Sequence, residues 1–405
     1  MITHPLRVPP IGFAEHRWEA ALDGMAGRAR LARATGAYRS SVPARIADYQ
    51  PSLPGDLAAD VEEATAALAQ FDGYAHRVLG MSSPTLGPMS AVLLRTESVS
   101  SSRIENLTVG ARQLALAELG QASSPNAAIV TGNVRAMEAA LALATQLNTQ
   151  SVLAMHAVLL NHQPGWETYA GSYRDQLVWI GRSSLGPVDA SYVAPQPDLV
   201  PEAMADLMAF IERRDLPIGV QVAVAHAQFE TIHPFVDGNG RTGRALVHAM
   251  LANLGVVTHT TAPVSAGLLT ATRAYFRALT DFRRGDARPI VERFADASRF
   301  AATSGARLVD ELANQLDEAR DRLTGVRPQS SVWRVLPHLL SQPVVNTRYL
   351  VDTMGLSEMT ANRTLAQLAQ AGVLDERTGY KRNRLWQHTG ILGVLDAYAE
   401  RLRRE

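Results

Sequence analysis

The sequence predicts a mainly α-helical fold with one β-hairpin and a small separate domain at its C-terminal end. Through most of the chain, apolar residues recur three and four positions apart, a spacing that places them on one face of a helix. Between residues 57 and 71 they are Leu57, Val61, Ala64, Leu68 and Phe71. Residues 177–180 and 191–193 are β-prone instead, and the glycines and proline between them predict a hairpin with a long loop.

Helices are predicted along the chain as far as the C-terminal region. Up to residue 255 they span residues 18–35, 57–73, 89–99, 126–146, 150–160, 199–212, 217–231 and 239–254. Pro51, Pro54 and Gly55 mark the turn before the second of these helices. Gly255 stands where a C-terminal cap is expected. Two or three further helices are predicted up to about residue 324.

The C-terminal residues predict a helix-turn-helix followed by a wing. Residues 349–354 and 358–370 form two predicted helices joined by a tight turn, and a strand and its return strand follow near residues 373 and 385. A candidate linker at residues 325–330 precedes them. We therefore divide the chain into an N-terminal helical region (1–115), a core domain (116–325) and a winged helix-turn-helix domain (330–405).

The composition excludes several classes of enzyme for this chain. The chain contains no cysteine, which excludes disulfides, thiolate metal sites, iron–sulfur clusters and a cysteine nucleophile. Lys381 is the single lysine among 39 lysine and arginine residues. The sequence therefore lacks the Gly-Lys-Ser/Thr triplet of a P-loop and the early strand lysine of a protein kinase. Any phosphate must be bound by arginine side chains and backbone N–H groups.

Charge and hydropathy give an expectation about location. The 39 basic residues are balanced by 39 aspartates and glutamates, so the whole chain is not a polyanion binder. The first residues lack a basic segment followed by an apolar stretch, and no run approaches the length of a membrane span. We therefore expect a cytoplasmic protein that does not engage the membrane.

Residues 229–244, FETIHPFVDGNGRTGR, are the most informative segment. Proline disfavours helical geometry at the residue before it, so the apolar helix that precedes this segment is expected to turn at His233. The glycine-rich turn of residues 238–240 then leads into a second apolar helix. Such a turn is an anion site, because the first N–H groups of a helix converge there with the positive end of its dipole.

Titratable and charged side chains surround this turn. Asp237 can hold Mg²⁺ together with phosphate oxygens. Arg241 and Arg244 are three residues apart and share a helix face, which suits a polyphosphate. His233, with an ordinary pKa of about 6.5, is the candidate general base. The segment therefore predicts a polyphosphate site beside a proton acceptor.

The string HPFVDGNGRTGR resembles the signature of the Fic family, HPFx(D/E)GNGRxxR, with every defining position filled. The resemblance implies a Fic-type helical bundle and a protein adenylyltransferase, which transfers AMP from ATP to a Ser, Thr or Tyr hydroxyl of a protein. It implies that His233 deprotonates that hydroxyl, that Asp237 binds Mg²⁺ between the α- and β-phosphates, and that Phe235 anchors the loop in the core.

The resemblance also assigns the phosphate contacts. It implies that Gly238, Asn239 and Gly240 supply the anion hole, that Arg241 holds the β-phosphate and that Arg244 reaches the γ-phosphate. Asn239 and Arg241 thereby join the general base as catalytic residues. The implied reaction is in-line attack of the hydroxyl at the α-phosphorus with pyrophosphate leaving.

Two further elements fit the same resemblance. Fic domains carry a hairpin flap beside the phosphate loop, and Val178, Trp179 and Ile180 are expected to clamp the target segment by strand addition. Tyr275 and Phe276, which follow the motif, are candidates to border the adenine. Aromatic residues at helical spacing also occur in cores, so a core position for these two remains open.

Upstream, Ser101, Glu105 and Asn106 fill the three positions of a motif that resembles the Fic inhibitory motif, (S/T)xxxE(G/N). The resemblance implies that Glu105 pairs with Arg244 and takes the space and charge that the γ-phosphate needs. Since this motif precedes the core, the chain resembles the class with an N-terminal, intramolecular inhibitory helix.

The predicted winged helix leaves its partner open. Its second helix has one cation, Arg363, and further basic residues crowd the wing: Arg377, Lys381, Arg382 and Arg384. Such arginines suit phosphate contacts, which bind DNA without reading its sequence. A protein-docking role fits the same residues, and neither reading is excluded.

The combined interpretation is an autoinhibited protein adenylyltransferase that uses ATP and Mg²⁺, with self-modification and a homodimer as further possibilities. The rival class is a winged-helix DNA-binding regulator whose Fic part senses nucleotide without transferring it. A second rival is a Fic enzyme that transfers another phosphate-containing group. The intact His233 favours an enzyme over a sensor, because a sensor has no need of a base.

Overall fold

The computed structural model describes residues 5–20, 27–79, 86–121, 124–163, 165–181, 183–377 and 384–404. Over these residues the chain is mainly helical, as the sequence predicts. It divides into two compact units that are each discontinuous in sequence. The first comprises Met1–Thr65, Ala139–Leu254 and Thr272–Ala295, and the second comprises Ala66–Glu138, Gly255–Ala271 and Asp296–Glu405. The division into three consecutive domains stays a prediction.

The regular elements follow in chain order. The helices are α1 Arg28–Ala34, α2 Gly55–Leu79, α3 Leu86–Ile104, α4 Ala111–Glu118, α5 Pro125–Ala142, α6 Thr149–Leu160, α7 Val200–Glu212, α8 Ile218–Ile232, α9 Asn239–Asn253, α10 Val264–Thr270, α11 Thr272–Arg283, α12 Arg288–Arg322, α13 Val332–Ser341, α14 Thr347–Asp352, α15 Glu358–Gln370 and α16 Thr389–Arg404. The strands are β1 Gly12–Trp18, β2 Gly36–Val42, β3 Trp179–Ile180, β4 Tyr192–Val193, β5 Val344–Val345, β6 Asp375–Glu376 and β7 Trp386–Gln387.

The prediction of one helix over residues 18–35 is wrong. Strands β1 and β2 form an antiparallel pair in register from Gly12 opposite Val42 to Trp18 opposite Gly36, and only α1 between them is helical in the described part of that span. The strands are stabilised by cross-strand pairs. The rings of His16 and Tyr38, which are register partners, stack with centroids 5.3 Å apart.

The first unit has its core around α8 and α9. Helix α8 is buried on nearly all sides because its sequence, IGVQVAVAHAQFETI, carries apolar residues on every face. Helices α7, α9 and α11 pack around it, and α6 packs against α7 and α9. Helix α9 ends at Asn253, and Gly255 follows with φ +74°, so the predicted C-terminal cap is confirmed. This core fixes the ends of α8 and α9, where the candidate site lies.

In the second unit, α3 buries an unusual number of polar side chains. The Asn133 side chain of α5 donates from Nδ2 to the Ser98 carbonyl oxygen at 2.8 Å and to Ser102 Oγ at 3.1 Å. The fully buried carboxylate of Glu97 accepts from the backbone N–H of Ser265 at 2.9 Å and from its hydroxyl. Since buried polar groups need partners, these bonds fix how α5 and α10 sit against α3.

The C-terminal segment, residues 332–404, contains the two predicted helices as α14 and α15, and their assignment to a winged helix-turn-helix stays a prediction. The side chains of Asn346 and Ser357 cap α14 and α15, accepting from the third backbone N–H that follows each of them, at 2.7 and 3.3 Å. A three-stranded antiparallel sheet of order β5-β7-β6 adjoins the helices. The predicted wing residues Lys381 and Arg382 lie outside the described residues.

Within the described residues, no helix combines the length and apolar character that crossing a membrane requires.

Candidate active site

The loop between α8 and α9 is closed by one side chain. Helix α8 ends at Ile232, and His233 adopts the left-handed conformation with φ 51°. Asn239, the first residue of α9, accepts a hydrogen bond at Oδ1 from the backbone N–H of Phe235 at 2.8 Å and donates from Nδ2 to its carbonyl oxygen at 2.9 Å. This reciprocal pair fixes the backbone between Phe235 and Asn239, so the loop is preorganised.

Gly238 is the one residue of this loop whose glycine identity the geometry demands. Its φ is +75°, and a Cβ atom built there would lie 2.8 Å from Leu159 Cδ2. Both the conformation and the close approach exclude a side chain. The expected glycine turn before α9 is therefore confirmed, and the first N–H groups of α9 face the loop without acceptors inside the helix.

Phe235 and His156 form a buried support below the loop. Phe235 is fully buried, and its ring stacks on the His156 imidazole with centroids 3.6 Å apart and planes 4° from parallel. His156 Nε2 donates to the Asp237 carbonyl oxygen at 3.1 Å, while Nδ1 accepts from the Gly171 N–H at 3.1 Å. Burial lowers the pKa of His156 to about 4, so the ring is neutral near pH 7. The predicted core position of Phe235 is confirmed.

Arg174 holds the other end of the loop. This buried guanidinium donates from Nε to the His233 carbonyl oxygen at 2.8 Å, and its terminal nitrogens reach the carbonyl oxygens of Gln176 at 3.0 Å and Pro195 at 2.6 Å. Its backbone N–H donates to the Pro234 carbonyl oxygen at 3.0 Å. Burial lowers the pKa of Arg174 to about 10, which leaves it charged at neutral pH.

His233 is neutral and confined. Its side chain is 19% exposed, and Glu230 Oε2 lies 3.9 Å from its Nδ1. Among the described residues, no group is hydrogen-bonded to that nitrogen. Burial is the main cause that lowers the pKa of His233 to about 4, and the positive charges of Arg283 and Arg174 add to it. The imidazole can therefore accept a proton at neutral pH without first losing one.

Positive charge concentrates at the start of α9. The side chains of Arg241 and Arg244 are almost fully buried, at 2% and 3% exposure. Asp237, 35% exposed, accepts from Arg241 at 3.1 Å and from Gln163 Nε2 at 3.1 Å. Two guanidinium groups and the N–H groups of a helix N-terminus together favour anions at this point, and Asp237 supplies one negative charge. The arrangement suits a ligand with several negative charges.

Asp237 is the only acidic side chain in the loop of residues 233–239. The described residues contain no group of three or more His, Asp or Glu side chains placed to hold a metal ion. Asp237 is partly exposed and oriented by its two hydrogen bonds, which fits a Mg²⁺ ion that takes its other ligands from phosphate and water. The role of Asp237 as a metal ligand stays a prediction.

The β3–β4 hairpin is built as the sequence predicts and is tied to the same core. Trp179 pairs with Val193 and Ile180 with Tyr192. Ile180 is 47% exposed, whereas Val178 and Trp179 are half-buried. The buried Tyr192 hydroxyl meets Ser41 Oγ at 2.9 Å and donates to the Thr231 carbonyl oxygen. These bonds connect the hairpin to β2 and to the last turn of α8.

The two aromatic residues of α11 occupy different environments. Tyr275 is 1% exposed, and its hydroxyl lies 2.7 Å from His226 Nε2 in the core. Phe276 is 49% exposed. Tyr275 therefore occupies a core position, which the sequence had left open for both residues. Contact of either ring with an adenine stays a prediction.

The predicted inhibitory motif of Ser101, Glu105 and Asn106 lies at the C-terminal end of α3, in the second unit. Ser101 is fully buried, Glu105 is half-buried and Asn106 is exposed. Helix α3 ends at Ile104, and Asn106 takes the left-handed conformation with φ 63° that commonly terminates helices. Glu105 therefore stands on the terminal turn and not inside the helix.

Comparison with protein families settles the relationship of the chain. The model of the Fic/DOC family matches residues 146–251, and the model of the Fic/DOC family N-terminal region matches residues 58–142. Residues 58–142 and 146–251 thus carry a Fic/DOC N-terminal region and a Fic/DOC domain. The first match includes the whole loop of residues 233–244, and the second includes the motif at the end of α3.

Sequence relatives of this chain are named as adenylyltransferases. Protein adenylyltransferase fic-1 of Caenorhabditis briggsae is 31% identical over 158 residues, which are 38% of this chain and 27% of the relative. Its counterpart from Caenorhabditis elegans is 33% identical over 155 residues, with the same shares. Protein adenylyltransferase Fic of Nematostella vectensis is 27% identical over 185 residues, or 43% and 39%. The chain thus spans well under half the length of these relatives.

A solved structure shares the fold. A Fic family protein from Desulfovibrio desulfuricans G20 is 22% identical, and the superposition covers 84% of this chain and 99% of that one with a TM-score of 0.52. At this identity the similarity concerns the fold alone. It agrees with the mainly helical Fic architecture expected from the sequence.

Several residues of the Fic site have no signal in the sequence. His156, Gln163 and Arg174 lie 59 to 81 residues before their loop partners. Each stands in a segment without a recognisable motif. The one available hint for Arg174 is its place at the entry to the β-prone stretch, and that position alone does not predict burial.

Proposed function

We propose that this protein is a protein adenylyltransferase that transfers AMP from ATP to a Ser, Thr or Tyr hydroxyl of a protein. The observation that carries the proposal is the closed loop of residues 233–239, which places a neutral histidine beside a helix N-terminus with two buried arginines. The relatives named as adenylyltransferases support the same reaction class. ATP and a target protein are the partners it requires.

His233 acts as the general base. Its neutral imidazole takes the proton of the target hydroxyl, and the hydroxyl oxygen forms a bond to the α-phosphorus of ATP. The bond between the α-phosphorus and the bridging oxygen breaks, and pyrophosphate leaves with that electron pair. The Arg174 bond to the His233 carbonyl oxygen orients this residue, because the left-handed backbone there needs support from its surroundings.

The start of α9 binds the phosphates. The N–H groups of residues 238–240 form the anion hole, Arg241 holds the β-phosphate and Arg244 the γ-phosphate. Asp237 would hold Mg²⁺ through its carboxylate, and the bound ion would neutralise charge on the phosphate oxygens. Phe276 is the more accessible of the two α11 aromatics for contact with the adenine.

The hairpin of β3 and β4 receives the target. The exposed side chain of Ile180 and the half-buried Val178 and Trp179 offer an edge to which an extended segment adds as a strand. Main-chain bonds of this kind hold the segment on both sides of the modified residue without reading every side chain.

Glu105 restrains the reaction. This proposal rests on the sequence motif of Ser101, Glu105 and Asn106, and on the competition it implies between the Glu105 carboxylate and the γ-phosphate for Arg244. Ser101 is buried and Asn106 ends the helix with a positive φ, so two of the three motif positions have a structural reason for their residue type.

DNA bound at the C-terminal segment is a second candidate function. Helix α15 exposes Met359 at 79%, and the side chains of Asn362 and Arg363 are also exposed. The second helix of a helix-turn-helix is the element that enters a DNA groove. An Arg363→Ala variant that binds duplex DNA as tightly as the wild type would remove α15 as the DNA-contacting helix.

The decisive experiment incubates three proteins with ATP labelled on the α-phosphate: the Glu105→Gly variant, the same variant with His233→Ala, and the wild type. We expect the Glu105→Gly variant to label protein most strongly. Adding His233→Ala should lower the labelling rate by a factor on the order of 10²–10⁴, because the base is removed. ATP labelled on the γ-phosphate distinguishes transfer of AMP from transfer of phosphate. Binding of ATP without label transfer in every variant would favour the nucleotide-sensing regulator.

A further inference from the structure

A basic groove borders the proposed target hairpin in the first unit. Helix α1 contributes Arg30 and Arg33 to one wall, and the β3–β4 hairpin contributes Trp179, Ile180 and Asp189 to the other, around a volume of about 830 Å³. Both arginines are exposed and lie on one face of α1. The volume falls within the range of ligand sites in proteins.

Close packing between β1, α1 and the loop of the hairpin shapes the groove. Trp18 at the end of β1 donates from Nε1 to the Leu185 carbonyl oxygen at 2.9 Å. A Cβ atom at Gly186 would lie 2.5 Å from that indole nitrogen and 2.9 Å from the Ala34 carbonyl oxygen, so only glycine fits. The end of α1 is thereby packed against the long loop of the hairpin. Among the described lining residues, two arginines and one aspartate are charged, which leaves an excess of positive charge on that part of the groove.

We infer that this groove binds an acidic segment of the target protein, adjacent to the residue that is modified. The inference rests on the proposed function, since it assigns the occupant to the same polypeptide that reaches the hairpin. Carboxylates of the segment pair with Arg30 and Arg33, and its apolar side chains contact Ile180 and Trp179. Arginine forms bidentate hydrogen bonds with carboxylates, which gives this surface a preference for acidic sequences.

The test measures binding without transfer, so it does not depend on catalysis. The probe is a fluorescein-labelled ten-residue peptide with one serine flanked by glutamates, compared with a peptide in which lysines replace the glutamates. We expect fluorescence anisotropy to show binding of the acidic peptide alone, weakened at least about tenfold by Arg30→Glu with Arg33→Glu. Arg28→Glu, on the same helix but outside the groove, is the matched control.

Equal affinity of the double variant and the wild type for the acidic peptide would overturn the inference, as would equal loss in the Arg28→Glu control. Failure to label any protein with AMP while peptide binding follows the expected pattern would refute the proposed function and leave the binding of acidic segments by the basic groove standing. Thermal unfolding of each variant confirms that the change is not a loss of folding.

A separate set of contacts in the second unit connects the inhibitory motif to the C-terminal segment. Arg103, two residues before Glu105, donates from a terminal nitrogen to the Ala399 carbonyl oxygen of α16 at 2.9 Å. After the motif, the Ala111 N–H donates to Asp396 Oδ1 at 3.2 Å. The Gln342 side chain donates to the Ala115 carbonyl oxygen at 2.8 Å. The chain is therefore attached to the C-terminal segment on both sides of Glu105.

Helix α4, which follows the motif, shares the core of that segment. Ala115 and Leu116 belong to one buried cluster with Val344 of β5, Leu385 before β7 and Leu392 of α16. By contrast, two clefts border the end of α16. Their volumes are about 60 and 300 Å³, and both reach Tyr398 and Leu402, one toward α3 and the other toward α12. Free volume beside a helix lowers the packing cost of a small shift.

We propose that the C-terminal segment sets the position of Glu105, so that a shift of α16 releases the inhibition. This proposal rests on the inhibitory role of Glu105. Arg103 is a positioning residue here: it acts through the turn it stabilises and touches neither nucleotide nor target.

The experiment measures self-labelling with ATP in Arg103→Met and Asp396→Ala variants, each alone and in the Glu105→Gly background. Arg348→Met, an arginine of the same segment with a side chain 87% exposed, is the matched control. We expect labelling to rise several-fold in Arg103→Met and in Asp396→Ala, and to remain at the wild-type level in Arg348→Met. In the Glu105→Gly background, Arg103→Met and Asp396→Ala should raise labelling no further.

If Arg103→Met and Asp396→Ala label at the wild-type level while Glu105→Gly shows a gain, the coupling between the C-terminal segment and Glu105 is refuted. The inhibitory role of Glu105 would then still hold. An additive gain in the Glu105→Gly background would refute it too, because the variants would then act independently of Glu105. If Glu105→Gly itself gains nothing, the inhibitory role and the coupling fail together.

Discussion

Arg174 donates a hydrogen bond from Nε to the carbonyl oxygen of His233, at 2.8 Å, and so fixes a residue with a left-handed backbone from a position 59 residues earlier in the chain. The same guanidinium donates hydrogen bonds to the carbonyl oxygens of Gln176 and Pro195. One buried cation thus holds the end of α8 together with both approaches to the β3–β4 hairpin. The candidate base and the candidate target hairpin share one support.

Replacing Arg174 by methionine should therefore cost stability as well as activity. The change removes three hydrogen bonds that one buried guanidinium donates, and a hydrogen bond to a charged group contributes about 1.5–3 kcal/mol. We expect urea unfolding to show a loss of about 3 kcal/mol or more. Arg45→Met removes an arginine whose side chain is 78% exposed, and it should change stability by less than about 1 kcal/mol. Equal unfolding midpoints for the two variants would contradict this role.

The lowered pKa of His233 predicts the pH dependence of transfer. With a pKa of about 4, the imidazole is unprotonated throughout the range from pH 6 to 8, and it takes up a proton only in more acidic solution. We expect kcat/KM to be flat across that range and to fall below about pH 5, because a protonated base cannot accept the target proton. Half-loss of activity near pH 6.5 would indicate an unperturbed histidine. Nucleotide affinity measured at each pH separates this effect from titration of ATP itself.

How far the sequence predicts this molecule depends on whether the informative residues are contiguous. The loop of His233, Asp237 and Arg244 was predictable because proline, glycine and the charged residues fall within twelve positions of one turn. Arg174 and His156 were not, since their roles exist only once distant segments pack together. The β1–β2 hairpin was missed for the same reason: its strands are stabilised by partners across the pair and carry no strong alternation of their own.

Asp237 should be required for transfer in a manner that depends on magnesium. Asp237→Ala removes the single carboxylate of the loop, and we expect a loss of about 10²-fold, since a metal at developing phosphate charge supplies several kcal/mol. Raising the magnesium concentration should restore the rate only in part. Gln163→Ala removes one hydrogen-bond donor to Asp237 but keeps the carboxylate, so its loss should be smaller. Full activity of Asp237→Ala at ordinary magnesium would exclude the metal role.

Gly238 allows steric crowding to be separated from backbone strain. Gly238→Ala places a Cβ atom 2.8 Å from Leu159 Cδ2 at φ +75°, whereas Gly255→Ala has φ +74° and no heavy atom within 4 Å of the new Cβ. We expect Gly255→Ala to lose about 1 kcal/mol from the positive φ alone, and Gly238→Ala to lose a further 1–3 kcal/mol or so from overpacking. Urea unfolding measures both. Nucleotide binding should weaken in Gly238→Ala alone, and equal behaviour of the two variants would show that the loop tolerates the side chain.

The Glu105 and Arg244 positions give the sharpest test of inhibition. One guanidinium cannot pair well with a carboxylate and with the γ-phosphate at once, so removal of the carboxylate should raise transfer. We expect Glu105→Gly and the isosteric Glu105→Gln to increase labelling alike, because the charge is what competes, while stability changes by only about 0–1 kcal/mol for this half-buried group. Arg244→Ala should abolish the gain in the Glu105→Gly background, since the phosphate contact is lost as well. If Glu105→Gln stays at the wild-type level while Glu105→Gly gains, the backbone and not the charge is responsible. If the gain survives removal of Arg244, the two residues do not compete for the same group.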